Sequence, residues 1–87
     1  MAGVIVRNGL NVMAQESNPS DFNECKHTGI YVCGGLITEN APVSKPYGTL
    51  LVFRAEGSNE LYTAQFFISR GGQFYFRSLG GDWVQLG

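Results

Sequence analysis

Charged side chains are scarce in this chain. They make up 15% of its 87 residues, and six basic residues against seven acidic ones give a formal net charge of −1. Globular domains usually carry about 25% charged residues. With no basic excess, the chain lacks the clustered positive surface that nucleic-acid binding requires, so we expect no nucleic-acid partner. Because a solitary small domain usually needs surface charge for solubility, the shortage also indicates surface hidden against another chain.

Metal ligands and nucleophiles are also few. The chain has one histidine, His27, and two cysteines, Cys25 and Cys33, without CxxC spacing. One chain therefore lacks four convincing zinc ligands, and we expect no metal ion and no cofactor. Two cysteines do not make the dense disulfide framework of small secreted domains, and we favour reduced thiols over a single disulfide.

No group of side chains indicates a catalytic site. Most of the seven carboxylates fall in turns and connectors, where solvated charges are usual. Asp21 and Asp82 precede ordered segments, so capping or turn bonds to backbone amides suit them. Cys25 and His27 are close enough in sequence to touch on an extended chain, but no third orienting group or oxyanion site accompanies them. We therefore expect a protein that is not an enzyme.

Long apolar runs are missing as well. No segment approaches the ~20 apolar residues of a membrane helix. Residues 1–7 have neither the basic region nor the apolar stretch of a secretory signal. We expect no membrane insertion.

Glycine and apolar residues are what the chain has in quantity. Twelve glycines and a hydrophobic fraction of 44% argue against disorder. Runs with a period of two alternate with glycine-bearing turns, which predicts an all-β domain: a small antiparallel sheet or sandwich of five or six short strands. The predicted strands cover residues 30–33, 49–54, 61–69, 73–78 and 83–86, with a further extended stretch or hairpin around Asn8 and Gly9.

Two local features are less regular. A bulge at the glycine pair would let residues 36–38 continue the 30–33 strand, before a long loop over residues 39–48. Asn18 and Pro19 are suited to cap and begin one short helical turn, and nothing else in the chain has a helical pattern.

The two most apolar runs predict self-association. Residues 50–53 and 66–68 do not alternate cleanly, so some of their apolar side chains would face outward from a monomer. A chain of this length buries only about 60% of its unfolded surface, which leaves little core. Burial between copies would supply the missing core, and we expect a homo-oligomer.

One group of side chains is suited to ligand binding. If Phe74 and Phe76 point inward, then Tyr75 and Arg77 point outward, with Trp83 on the adjoining strand. Aromatic rings offer sugars or aliphatic groups a flat apolar platform, and arginine supplies planar donors. Tyr75, Arg77 and Trp83 are therefore the candidate ligand-binding residues. The alternative is that Trp83 closes the core and the Tyr75–Arg77 pair packs between subunits.

Seven short motifs follow one another within residues 21–87. They are Asp21-Phe22-Asn23, Gly29-Ile30-Tyr31-Val32, Asn40-Ala41-Pro42, Gly48-Thr49-Leu50-Leu51-Val52-Phe53, Ala64-Gln65-Phe66-Phe67, Tyr75-Phe76-Arg77 and Trp83. In this order the motifs resemble the knob domains of phage tail fibres and pyocin fibres. Within these motifs, Gln65 lies among apolar residues, so we expect its amide to bond otherwise unpaired backbone. The family often has a second tryptophan shortly after the first, whereas Val84-Gln85-Leu86 follows Trp83 here.

The resemblance implies a β module that is trimeric around a fibre axis and serves as a spacer or as a receptor-contacting tip. Residues 1–20 would be a connector or trimerising strand, and residues 21–87 the knob-like domain. The implied partners are copies of the chain, other tail-fibre domains and a bacterial surface glycan or protein. The implied location is the virion tail fibre, after synthesis in the bacterial cytoplasm. A purely structural trimerising module is the alternative, and an accessory to a polysaccharide-acting enzyme is a minor one.

Overall fold

The computed structural model describes residues 14–55 and 57–87, which form one six-stranded sheet. The strands lie side by side in chain order, and they are β1 (Ala14–Ser17), β2 (Gly29–Gly34), β3 (Tyr47–Phe53), β4 (Ala64–Ser69), β5 (Phe74–Ser78) and β6 (Val84–Gln85). β1 runs parallel to β2, and β2 to β6 form an antiparallel meander of five strands. The predicted all-β antiparallel sheet is confirmed, and its form is a single sheet.

Among the described residues, the helical content is limited to two short 3-10 turns, at Phe22–Glu24 and Glu60–Tyr62. Asp21 caps the first turn, because its side chain accepts a hydrogen bond from the Asn23 N–H. The capping role predicted for Asp21 is thus confirmed. In the described part of the chain, no helix has the length and apolarity that a membrane span needs.

Three local predictions differ from the structure. Asn18 does not cap a helix; it takes a left-handed conformation with φ of +52°, and its side chain accepts from the Gly34 N–H at 2.7 Å. Residues 36–38 do not extend β2. The predicted strand over residues 61–69 begins only at Ala64, since Glu60–Tyr62 forms a 3-10 turn capped by Asn59. The proposed Asn8–Gly9 hairpin lies outside the described residues.

The core lies against one face of the sheet, which we call the inner face. Side chains from β2, β3 and β4 pack there with the segment around the first 3-10 turn, and the buried cluster consists of Phe22, Cys25, Tyr31, Cys33, Leu50, Val52 and Phe67. Ala41, Tyr75 and Trp83 pack against its edge. The connecting segments before and after β2 therefore serve as the second layer that a second sheet would provide in a sandwich.

The opposite face, which we call the outer face, is also apolar. The register aligns one cross-strand row over five strands, formed by Ile30, Leu51, Phe66, Phe76 and Val84. A second row over four strands is formed by Val32, Thr49, Ile68 and Phe74. Phe66 contacts three other rings, those of Phe53, Phe74 and Phe76, at centroid distances of 5.9 to 6.2 Å.

The assumed orientation of β5 is wrong. Phe74 and Phe76 lie on the outer face and are 37% and 36% exposed, whereas Arg77 is 5% exposed on the inner face and Tyr75 is half-buried beside it. Alternation along a strand fixes which side chains share a face but not which face the rest of the chain covers. Because both faces of this sheet are apolar, hydrophobicity alone gave no basis for choosing between them.

Gly48 is required by the close approach of β3 and β4. Its φ is +158°, and a Cβ atom at this position would lie 2.2 Å from the carbonyl oxygen of Ile68. No side chain fits there without a backbone shift, so glycine is needed at the start of this apolar strand.

Candidate functional site

A buried arginine organises the polar part of the inner face. Arg77 lies on β5 opposite Gln65 on β4, and its Nε donates to the Gln65 Oε1 at 2.8 Å. Its Nη2 donates to the Asn23 Oδ1 at 2.8 Å, and its Nη1 donates to the Gly81 carbonyl oxygen at 3.3 Å. One guanidinium therefore links the first 3-10 turn, β4 and the turn after β5.

Gln65 carries this connection further into the core. Its Nε2 donates to the carbonyl oxygens of Phe22 and Cys25, at 2.7 and 3.0 Å. The prediction that this amide bonds backbone within the apolar sheet is confirmed. Because Gln65 is fully buried, both its carbonyl and its amide group have partners where water cannot reach them.

Trp83, in the segment between β5 and β6, belongs to the same network. The Arg77 guanidinium lies over its ring, with the Cζ atom 4.8 Å from the ring centroid. The indole Nε1 donates to the Asn40 carbonyl oxygen at 2.8 Å, and the ring meets that of Phe22 edge-on at 6.1 Å. Trp83 thus packs at the edge of the core, which is the alternative stated for it above.

Asn40 and Asp21 complete the network. Asn40 adopts φ of +59°, a left-handed conformation that asparagine tolerates better than most residues. Its Nδ2 donates to the Asp21 Oδ1 at 2.8 Å, the same oxygen that accepts from the Asn23 N–H. The six polar or aromatic residues of this network, hereafter the Arg77 network, are Asp21, Asn23, Asn40, Gln65, Arg77 and Trp83.

The charge of Arg77 is held by neutral oxygens. Arg77 donates to the side-chain amide oxygens of Gln65 and Asn23 and to the backbone carbonyl oxygen of Gly81. Burial lowers the pKa of Arg77 below its ordinary value, while the negative charge of Asp21 acts in the opposite direction. A buried cation with three acceptors and an aromatic ring over it is well suited to hold segments together.

The three predicted ligand-binding residues are brought together, but in an unexpected environment. Arg77 is buried and each of its three guanidinium nitrogens donates one hydrogen bond within the chain, and Trp83 is half-buried with its indole N–H bonded. Tyr75 packs on the ring of Phe67 at 6.3 Å and also lines an open groove. Sequence reasoning missed Asn23 and Asn40 as the partners of Arg77 and Trp83, although both belong to the motifs quoted above.

The groove beside Tyr75 has a volume of about 510 Å³. It lies between the loop that leads into β3 and the turn that joins β4 to β5, and its walls include Val43, Lys45, Tyr47, Arg70, Gln73 and Tyr75. The Arg70 guanidinium lies 5.2 Å from the centre of the Tyr47 ring. An aromatic surface and two cations are therefore accessible here.

A smaller polar cavity, of about 250 Å³, lies at the other end of β3. Lys26, His27, Thr28 and Arg54 line it together with Ala55 and Gly57. Its cations have partners: Lys26 pairs with Glu60 at 3.3 Å, and Arg54 Nη2 donates to the Ser58 carbonyl oxygen at 2.6 Å. This cavity therefore offers little free positive charge.

Cys25 and His27 face different surroundings. Cys25 is buried in the core and its Sγ donates to the Asp21 carbonyl oxygen at 3.8 Å, whereas His27 is exposed. Cys33 is also a buried thiol, and desolvation raises its pKa to about 11. Within residues 14–55 and 57–87, no three His, Cys, Asp or Glu side chains are grouped in a way that could hold a metal ion.

Comparison with protein-family models, with curated proteins and with solved structures gives no match for this chain.

Proposed function

We propose that the chain is a knob-like module of a phage or phage-derived tail fibre, which assembles as a homotrimer and helps attach the particle to a bacterial surface glycan or protein. The observation that carries this proposal is the apolar outer face. It provides a surface through which copies of the chain associate. The motif resemblance is the reason for assigning this association to a tail fibre.

The outer face has the composition of a subunit interface. Its two cross-strand rows hold aromatic and aliphatic residues and one threonine, and none of these positions is charged. The five-strand row spans about 19 Å at the usual strand spacing. Val32, Ile68 and Val84 remain 50%, 39% and 46% exposed in the single chain. Soluble monomers rarely expose apolar patches of this continuity, whereas subunit interfaces commonly do.

The Arg77 network supports the knob assignment in a second way. Its members come from five of the seven motifs on which the resemblance depends, yet they meet at one place on the inner face. Motif residues that converge in space are what a shared structural unit would produce. The network also holds the connecting segments over the core, so the outer face is left for contact with other copies.

Three copies on one axis would act by multivalency. Each copy would present the same weak site, and a rigid axis makes the second and third contacts effectively intramolecular. In this arrangement the partners are copies of the chain and neighbouring fibre domains, and the location is the tail fibre of the virion.

A purely structural trimerising module is the second candidate. The observation that favours it is that each guanidinium nitrogen of Arg77 and the indole N–H of Trp83 already donate within the chain. Under this reading the inner face only stabilises the module, and attachment to the host belongs to another part of the fibre.

Sedimentation equilibrium of the purified chain tests the assembly. We expect a trimer at micromolar concentration, and dissociation or a marked weakening of association in Phe76→Asp, which places a charge in the five-strand row of the outer face. Ile37→Asp is the matched control, because Ile37 is 74% exposed in the loop between β2 and β3 and should leave the trimer intact. A well-folded monomer at micromolar concentration would refute the proposal.

A further inference from the structure

We infer that the groove beside Tyr75 binds a saccharide that carries carboxylate groups. The inference deepens the receptor-binding part of the proposed function and rests on it, because it names the class of surface molecule and places the contact away from Arg77 and Trp83. Both of those side chains are already engaged within the fold.

The shape of the groove suits a small chain of sugar rings. Its volume of about 510 Å³ lies within the usual range of ligand sites, roughly 300 to 1,000 Å³. Tyr47 is 52% exposed and Tyr75 is half-buried, so both can present ring surface to the space between them. Flat apolar surface of this kind packs against the C–H faces of sugars while the sugar hydroxyls stay available for hydrogen bonds.

The Tyr47 ring has close neighbours on two sides. The Arg70 guanidinium lies over the ring, and the Arg70 N–H donates to the Tyr47 carbonyl oxygen at 2.6 Å. Gly35 has φ of +88°, and a Cβ atom there would lie only 2.9 Å from the Tyr47 ring. A glycine is therefore favoured beside this tyrosine, whose ring lies between the backbone at Gly35 and the Arg70 guanidinium.

The charge of the groove selects for an acidic ligand. Lys45 and Arg70 both line it and both are exposed. Neither forms an ion pair with a described residue, and none of the described residues that line the groove is acidic. Two cations without carboxylate partners beside an aromatic surface are complementary to a sugar acid.

Gln73 adds a neutral hydrogen-bonding group to the same wall. Its Oε1 accepts from the Ser69 hydroxyl, and Ser69 Oγ accepts in turn from the Gln73 N–H at 2.9 Å. This reciprocal pair engages the Gln73 Oε1, whereas the Nε2 of this groove-lining residue donates to no described residue. That donor is suited to a sugar hydroxyl, so the groove combines stacking, charge and a neutral donor.

A titration of the ¹⁵N-labelled chain, followed by amide chemical shifts, tests the inference. The acidic probes are tetragalacturonic acid and α2,8-linked tetrasialic acid, and the neutral probe is the methyl ester of the first. We expect shifts for the amides of Lys45, Tyr47, Arg70 and Gln73 with at least one acid, and binding of the ester about three- to ten-fold weaker. Lys45→Gln and Arg70→Gln should weaken acid binding to a similar extent, whereas Lys26→Gln, which removes a cation outside the groove, should not.

Several results would overturn the inference. They are the absence of binding by both acids, equal binding of the ester, shifts confined to residues outside the groove, or equal effects of the three charge variants. Groove shifts that depend on protein concentration but not on saccharide would assign the groove to a neighbouring copy and would overturn it too. A trimer that binds neither acid would leave the proposed assembly standing and overturn only this inference. A monomer that binds acid in the groove would overturn the proposed assembly and leave this inference standing.

Discussion

Arg77 and Gln65 face each other across β5 and β4, and the 2.8 Å hydrogen bond between Arg77 Nε and Gln65 Oε1 lies in the buried part of the inner face. Arg77 also donates to acceptors on two other segments. Gln65 in turn donates to two backbone carbonyl oxygens. The connectors that cover the core are thus tied to the sheet by polar bonds as well as by apolar contact. A buried group of this kind is costly to disturb, because removing one member leaves the others unpaired.

Gln65→Leu should therefore destabilise the chain despite its apolar setting. Leucine fills the space but removes the amide donor to the Phe22 and Cys25 carbonyl oxygens and the oxygen that accepts from the Arg77 Nε. We expect a loss of about 2 to 4 kcal/mol in the free energy of unfolding, measured by urea denaturation at fixed protein concentration. Gln85→Leu is the control, since Gln85 is exposed, and it should change stability by less than about 0.5 kcal/mol. Equal effects of the two variants would show that the Gln65 bonds contribute little.

Arg77→Lys should be as harmful as many non-conservative changes. A lysine ammonium cannot present donors to Gln65, Asn23 and Gly81 in the geometry of a planar guanidinium, and it would lie less well over Trp83. We expect a loss of about 2 to 3 kcal/mol on thermal or urea unfolding, together with a change in Trp83 fluorescence. The exposed Arg70 gives a matched control, because Arg70→Lys retains the charge without a buried network. If Arg77→Lys unfolds at the same urea concentration as Arg70→Lys, the network is not a stabilising element.

The sequence was sufficient to predict the five strands of the antiparallel meander, the bonding of Gln65 and the cap at Asp21, but not the parallel strand β1 at Ala14–Ser17. Those features follow from local properties: alternation, turn residues, and a polar side chain inside an apolar run. The orientation of β5 follows from no local property. Phe74 and Phe76 are more apolar than their neighbours, so the sequence alone favours them for the core. Arg77 instead lies on the inner face, where its acceptors come from distant segments, and the two phenylalanines therefore lie on the outer face.

The candidate groove shows the same limit. Tyr47 is the first residue of β3, Arg70 lies in the turn after β4 and Tyr75 lies on β5, so their proximity depends on how these strands begin and end. Tyr75 was a candidate on chemical grounds, and the structure places it at the groove. Tyr47 and Arg70 lay in a predicted loop and a predicted turn, where single residues carry no positional signal.

Gly48→Ala should be far more damaging than an alanine at another glycine with positive φ. The built Cβ at position 48 meets the Ile68 carbonyl oxygen, whereas a Cβ at Gly72, with φ of +96°, meets nothing within 4 Å. Gly72→Ala therefore measures conformational strain alone, about 1 kcal/mol, and Gly48→Ala adds the cost of separating β3 from β4. We expect Gly48→Ala to lose at least about 2 kcal/mol more than Gly72→Ala in urea unfolding. Similar losses would mean that the two strands can move apart at little cost.

Cys33 gives a prediction on pH dependence. Burial raises the pKa of its thiol to about 11, against an ordinary value of 9.0 in the unfolded chain. Between these values the folded chain binds more protons than the unfolded chain, so the stability that the neutral thiol contributes is present below pH 9 and is lost as the pH rises through 11. The loss should approach about 2 to 3 kcal/mol, measured as the free energy of urea unfolding from pH 8 to pH 11.

Other groups titrate in the same range, so Cys33→Ala provides the control. The variant should be less stable at pH 8 because it leaves a small cavity, but its stability should fall less steeply above pH 9. Parallel pH profiles for the two proteins would show that the Cys33 thiol ionises as readily in the folded chain as in the unfolded one.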